Sequence, residues 1–88
     1  MNKTIEELTL ILAYLTQLTT YDRMTKSNDT FSFKSYDYNV LTELSKKGLI
    51  DIGDKPYKTN KLYFTDEGKK YVKSLLEKWG IDNNNKEN

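Results

Sequence analysis

The sequence predicts a single small α+β domain of three helices and a short antiparallel β-hairpin or three-stranded sheet. Three observations carry that expectation. Apolar residues recur with helical spacing over 5–19, 36–47 and 66–79. Gly48 and Gly80 each stand where a helix should stop, and each is followed by an apolar residue. Segments 30–34 and 58–65 alternate polar and apolar side chains, the period of a strand. A chain of 88 residues cannot divide its apolar residues between two cores and stabilise both, so 1–81 form one domain. The stretch 82–88 has no apolar residue and reads as a disordered polar tail.

Helix 1 is expected over 5–19. Thr4 followed by Glu7 fits a capping box, in which the hydroxyl accepts from the third-position amide and the carboxylate reaches back. Ile5, Leu8, Leu12, Leu15 and Thr19 make one stripe, expected to face the core, and Ile11, Tyr14, Leu18 and Tyr21 extend it around the cylinder. A helix apolar on more than one side has either a covered face or a dimer seam, and Ile11, Tyr14 and Leu18 are the expected seam of a homodimer. Residues 20–30, with poor helix formers and then Ser27-Asn28-Asp29, read as a loop. Phe31 and Phe33 place two aromatics on one face of a short edge strand or extended loop.

Ser35 reads as the cap of helix 2 over 36–47, with Tyr36, Val40, Leu41 and Leu44 inward. Its end is the clearest local signal. Gly48 suits the left-handed position after the cap, Lys46 and Lys47 face the negative end of the dipole, and Leu49 can touch Leu44. A short strand at 49–52, a turn at 53–56 and a strand at 58–65 make a hairpin with a basic tip. Thr65 then caps helix 3, whose inner stripe is Val72, Leu75, Leu76 and Trp79, and Ile81 can contact Leu76 past Gly80.

Composition narrows the chemistry. The chain has no Cys and no His, which excludes a disulfide framework, thiolate or imidazole metal sites, and Ser-His or Cys-His catalysis. Its four glycines make no phosphate loop, and Asp51 with Asp54 lacks the rest of a calcium loop. We expect no enzyme activity, no cofactor and no metal. The N-terminal apolar run is preceded by Glu6 and Glu7 and broken by Thr9, Thr16 and Gln17, so it is neither a signal peptide nor a membrane span. A cytoplasmic protein with no membrane partner is the expectation.

Net charge is +1 from 14 basic and 13 acidic residues, so any bias toward a polyanion must be local. The basic excess lies in 23–61. Lys55, Lys58 and Lys61, with Lys46 and Lys47 nearby, would sit against phosphates in a nucleic-acid reading, and Tyr57 could stack on a base or sugar. In the bland reading these lysines merely guard an exposed strand edge from aggregation. On the outward face of helix 2, Asn39 and Thr42 could read base edges, whereas Asp37 and Glu43 would repel phosphates.

The segment Tyr38-x-x-Leu41-x-x-Leu44-x-x-x-Gly48-Leu49-Ile50, the basic hairpin, and Leu62-Tyr63-Phe64-Thr65-Asp66-Glu67-Gly68-Lys69 together resemble the recognition helix, wing and closing helix of winged-helix regulators of the PadR and MarR types. The whole chain is similar to a group of short bacterial proteins known only as a domain of unknown function, through Leu12-Ala13-Tyr14-Leu15-Thr16 and the run from Phe33 to Leu41. The winged-helix resemblance implies a dimeric DNA-binding transcription regulator, with duplex DNA contacted by Asn39, Thr42, Lys46, Lys47, Lys55, Tyr57, Lys58 and Lys61. A full helix-turn-helix also needs a helix immediately before the recognition helix, and only 20–34 could supply one. The alternative is a non-enzymatic protein–protein interaction module on the same scaffold, using its Tyr and Phe surface on a protein partner.

Overall fold

The computed structural model describes residues 2–53 and 60–81. The element order is α1 (Lys3–Leu15), β1 (Leu18–Asp22), β2 (Ser27–Phe33), α2 (Tyr38–Lys46), β3 (Ile50–Asp51), β4 (Lys61–Phe64) and α3 (Asp66–Lys78). The domain is α+β, with three helices and one four-stranded antiparallel sheet in the order β1-β2-β4-β3. The expected hairpin of β3 and β4 is therefore half of a larger sheet. The predicted wing tip, with Lys55, Tyr57 and Lys58, and the predicted tail over 82–88 lie outside the described residues. Among the described residues no helix is long and apolar enough to cross a membrane.

Several boundaries differ from the sequence reading. Helix α1 is capped by Asn2, whose Oδ1 accepts from the amides of Thr4 at 2.8 Å and Ile5 at 3.3 Å. Thr4 is thus inside the helix, and Glu7 does not reach back to it. The helix stops at Leu15, where Thr16 Oγ1 donates to the Leu12 carbonyl at 2.8 Å. The expected loop at 20–30 is instead the β1–β2 hairpin, registered from Leu18 opposite Phe31 to Asp22 opposite Ser27. The β-branched and aromatic residues Thr19, Thr20 and Tyr21 that disfavour helix favour a strand for the same steric reason. Lys26, at φ +55°, helps close the turn. Strand β2 is not an edge, because it pairs with β1 on one side and β4 on the other.

Helix α2 begins at Tyr38 rather than Tyr36. Its cap is Asp37, whose carboxylate accepts from Asn39 N at 2.8 Å and Val40 N at 3.3 Å, so Ser35 is not the cap. The predicted endings of α2 and α3 hold. Leu49 N donates to Leu44 O and Gly48 N to Ser45 O; past α3, Ile81 N donates to Leu76 O and Gly80 N to Glu77 O. These are the paired bonds of a Schellman ending, with Gly48 at φ +77° and Gly80 at φ +68°.

One core joins the layers. Leu10, Ile11 and Ala13 from α1 meet Val40, Leu41 and Leu44 from α2, Ile50, Leu62 and Phe64 from the sheet, and Val72, Leu75 and Leu76 from α3. Tyr14 packs edge-on against Phe64 with ring centroids 5.5 Å apart. Trp79, expected on the inner stripe of α3, stands past its last turn and is 40% exposed. Phe31 is buried on the opposite sheet face, against Phe33 and Tyr63 and under Lys61 Nζ at 4.4 Å from the ring centroid.

The two sequence segments that carry the winged-helix resemblance touch each other. Thr65 Oγ1 lies 2.7 Å from the Gly48 carbonyl oxygen and accepts from Gly68 N at 2.9 Å, and Thr65 N donates to Leu49 O at 3.2 Å. Gly68 is buried against the same place, so that a Cβ there would lie 1.9 Å from Leu49 O, which is backbone. Helix α3 can approach the end of α2 only because residue 68 has no side chain. Gly68→Ala should accordingly destabilise the fold by about 2 kcal/mol net, despite alanine's better helix propensity. Thermal denaturation should show a drop of roughly 10 °C, and an unchanged or higher Tm would overturn this account.

Candidate functional site

The outer surface of α1 carries four exposed large apolar side chains, and it arises from how two adjacent glutamates are placed. Glu6 and Glu7 are only 5% and 3% exposed. On a helix, neighbours point about 100° apart, so the two carboxylates reach different partners. Glu6 Oε1 accepts from Lys47 Nζ at 2.6 Å, at the C-terminal end of α2. Glu7 accepts from Lys78 Nζ at 3.1 and 3.2 Å and from Trp79 Nε1 at 3.0 Å, at the end of α3. Each lysine also sits at the negative end of its own helix dipole, which favours the cation. Hydrogen bonding to Lys78, then to Trp79, holds the Glu7 carboxyl below the ordinary carboxylate range, and the bond to Glu6 raises the Lys47 ammonium above its usual value.

With the glutamates turned inward, Ile5, Leu8, Leu12 and Leu15 are turned outward and are 49%, 44%, 52% and 41% exposed. This reverses the sequence expectation. The stripe read as core faces solvent, while two of the three residues read as a dimer seam lie inside: Ile11 is buried and Tyr14 packs on Phe64. Leu18, the third, is half-exposed on β1. Both stripes have helical spacing, so periodicity alone does not choose between them. The pair Glu6-Glu7 lies on the side of Leu10 and Ile11 and by ordinary residue preference would mark that side as solvated, so the sequence held no signal for the observed face. From Leu8 to Tyr21 the chain has no charged residue, so this face carries no ion to keep it in water. Beneath α1 a cleft of about 210 Å³ is lined by Leu10, Leu44, Leu49 and Tyr71, with Glu6, Glu7 and Lys47 among its polar groups; the ion pairs above already occupy those three.

Five of the residues expected to contact DNA are described: Asn39, Thr42 and Lys46 on α2, Lys47 at its C-cap and Lys61 on β4. Asn39 and Lys46 are exposed on α2. Thr42 donates its hydroxyl to the Tyr38 carbonyl at 2.9 Å, and Lys47 is bound to Glu6. Lys61 lies 3.3 Å from Asp29 Oδ2, which also accepts from the Tyr63 hydroxyl at 3.1 Å. Lys55, Tyr57 and Lys58 fall outside the described residues. Immediately before α2 stands the β1–β2 hairpin rather than a helix.

Residues 1–82 match the family described as a domain of unknown function, DUF6429, and the chain belongs to that family. Neither the curated proteins nor the solved structures contain a match to it.

The Glu7 contacts make a pH prediction. Because the folded carboxyl titrates below its unfolded value, its contribution to stability is complete above the unfolded value and fades as pH falls through the folded one. The single tryptophan, Trp79, donates to this carboxylate and reports on it directly. Its emission should show a transition centred below 4.5, the ordinary value, and Glu7→Gln should remove that transition and make the acid-side fall of Tm shallower. An unaltered emission transition in Glu7→Gln would contradict the assignment.

Proposed function

We propose that this chain is a cytoplasmic, non-enzymatic protein-interaction module on a winged-helix-like scaffold, and that it works through the outer face of α1. The observation that carries the reading is the stripe Ile5, Leu8, Leu12 and Leu15, half-exposed and uncharged on a helix whose own glutamates are engaged inside. Four large apolar side chains about half-exposed along one stripe of a helix suit a docking site. The order α2, β3, β4, α3 supports the scaffold comparison, since it follows recognition helix, wing strands and closing helix. The absence of Cys and His from the sequence supports a role without catalysis, and the lack of Cys suits a reducing compartment.

A DNA-binding regulator is the second reading, favoured by the resemblance of α2 and the wing. Three observations weigh against it. Lys47 and Lys61 are each paired with a carboxylate, Asp37 caps α2 beside Asn39, and a hairpin takes the place of the helix that would brace α2 on a duplex.

Fluorescence anisotropy with a random-sequence duplex at low and physiological salt separates the two. We expect no salt-dependent binding. Binding whose log affinity falls with log salt by about 0.9 per phosphate contact, flattened in a Lys55→Gln/Lys58→Gln/Lys61→Gln variant, would replace the interaction-module reading with the regulator.

A further inference from the structure

We propose that the cleft beneath α1 binds a small zwitterion with an apolar body, of the size and chemistry of an α-amino acid with an aliphatic or aromatic side chain. This goes beyond the reading of the outer α1 face, because Lys3, Glu6, Glu7 and Leu10 line the cleft from the other side of that helix.

Size and lining set the body of the ligand. The volume of about 210 Å³ lies below the range usual for drug-sized molecules, about 300–1,000 Å³. Leu10, Leu44 and Leu49 with Tyr71 give the cleft apolar walls, so its occupant is small and has an apolar portion. Glu6 makes the cleft more than a surface hollow. Lys47 takes its Oε1 at 2.6 Å, while Oε2 has no donor among the described residues. Glu6 is 5% exposed, yet no buried side-chain oxygen of the described residues lacks a partner, so Oε2 is reached by solvent through the cleft it lines. A wall carboxylate buried as a whole and open at one oxygen is a ready acceptor for a ligand donor.

Charge sets the ends. Of the three carboxylates and two lysines that line the cleft, Lys47 is bonded to Glu6, and Glu7 is bonded to Lys78 and Trp79. Lys3 and Glu67 remain. Both are exposed, and neither side chain forms an ion pair with a described residue or with the other. After the bonds from Lys78 and Trp79, the charge of Lys3 also lowers the Glu7 carboxyl, so the ammonium stands near the cleft. A ligand with one charge leaves a like charge beside it, Lys3 for a bare amine and Glu67 for a bare carboxylate. A zwitterion meets an opposite charge at each end. Its carboxylate is therefore assigned to Lys3, its ammonium to Glu67 and Glu6 Oε2, and its side chain to the three leucines.

Methyl NMR spectra of the full chain read the cleft through Leu10, Leu44 and Leu49, with unlabelled ligand added. Free L-leucine or L-phenylalanine should shift these signals saturably, with a Kd of about 1 mM or below. Isoamylamine, which lacks the carboxylate, and isocaproate, which lacks the ammonium, should each bind about tenfold more weakly or worse, and glycine should leave the signals in place. Lys3→Gln should weaken L-leucine about fivefold without weakening isoamylamine, and Glu67→Gln should weaken L-leucine about fivefold without weakening isocaproate. Both positions are exposed, so the circular-dichroism spectrum and Tm of each variant should match those of the native chain. Methyl signals that move with neither amino acid overturn the site. Isoamylamine or isocaproate binding as tightly as L-leucine overturns the zwitterion, and an affinity for L-leucine unchanged in both variants overturns the assignment of its two ends.

Discussion

The rotation of α1 about its own axis depends on two carboxylates. Glu6 and Glu7 are sequence neighbours, yet each is bound to the C-terminal end of a different helix, α2 through Lys47 and α3 through Lys78 and Trp79. A buried carboxylate without such partners is strongly disfavoured, so any rotation of α1 that broke either bond would carry a large cost. The bonds therefore specify which side of α1 is inside. Leu10, Ile11 and Ala13 follow them into the core, and Ile5, Leu8, Leu12 and Leu15 are left on the opposite side. The apolar outer face is a consequence of where the charges had to go.

A second constraint ties α3 to the rest. The Thr65 hydroxyl, the Gly48 and Leu49 carbonyls and the bare Cα of Gly68 meet within one turn of helix, so the end of α2, the start of β3 and the start of α3 are joined at one place. These are the residues that most invite comparison with winged-helix regulators. In this structure each has a packing or hydrogen-bonding role. They join the end of α2, the start of β3 and the start of α3. Resemblance through such residues bears on architecture more than on activity.

The same separation applies to the basic residues. A lysine counted in sequence is a free cation, but in the folded chain Lys47 and Lys78 neutralise the buried glutamates, and Lys61 lies over the Phe31 ring beside Asp29. Of the residues in the basic stretch 23–61, Lys47 is paired with a carboxylate from outside it, Glu6, so the local excess overstates by one charge the positive field offered to a polyanion. What the protein surface does offer is apolar area without charge, on a helix that already has its own core on the other side.

The sequence by itself determined what depends on a few neighbouring residues. The Schellman endings at Gly48 and Gly80, the Thr65 cap, the inward placement of Leu62 and Phe64 on β4, and the α+β class were all legible, because a glycine's left-handed φ, a hydroxyl one turn from an amide and a two-residue alternation are local properties. The β1–β2 hairpin was not, since Thr19, Thr20 and Tyr21 announce only that a helix is poor there, and their strand becomes stable through pairing with β2, itself held by β4. Nor could the sequence choose the inner face of α1, which carries two apolar stripes of similar periodicity. That choice was made by Lys47 and Lys78, 41 and 71 residues further along the chain. Only the tertiary structure brings those cations to Glu6 and Glu7, and with them decides which leucines form the core and which remain on the surface.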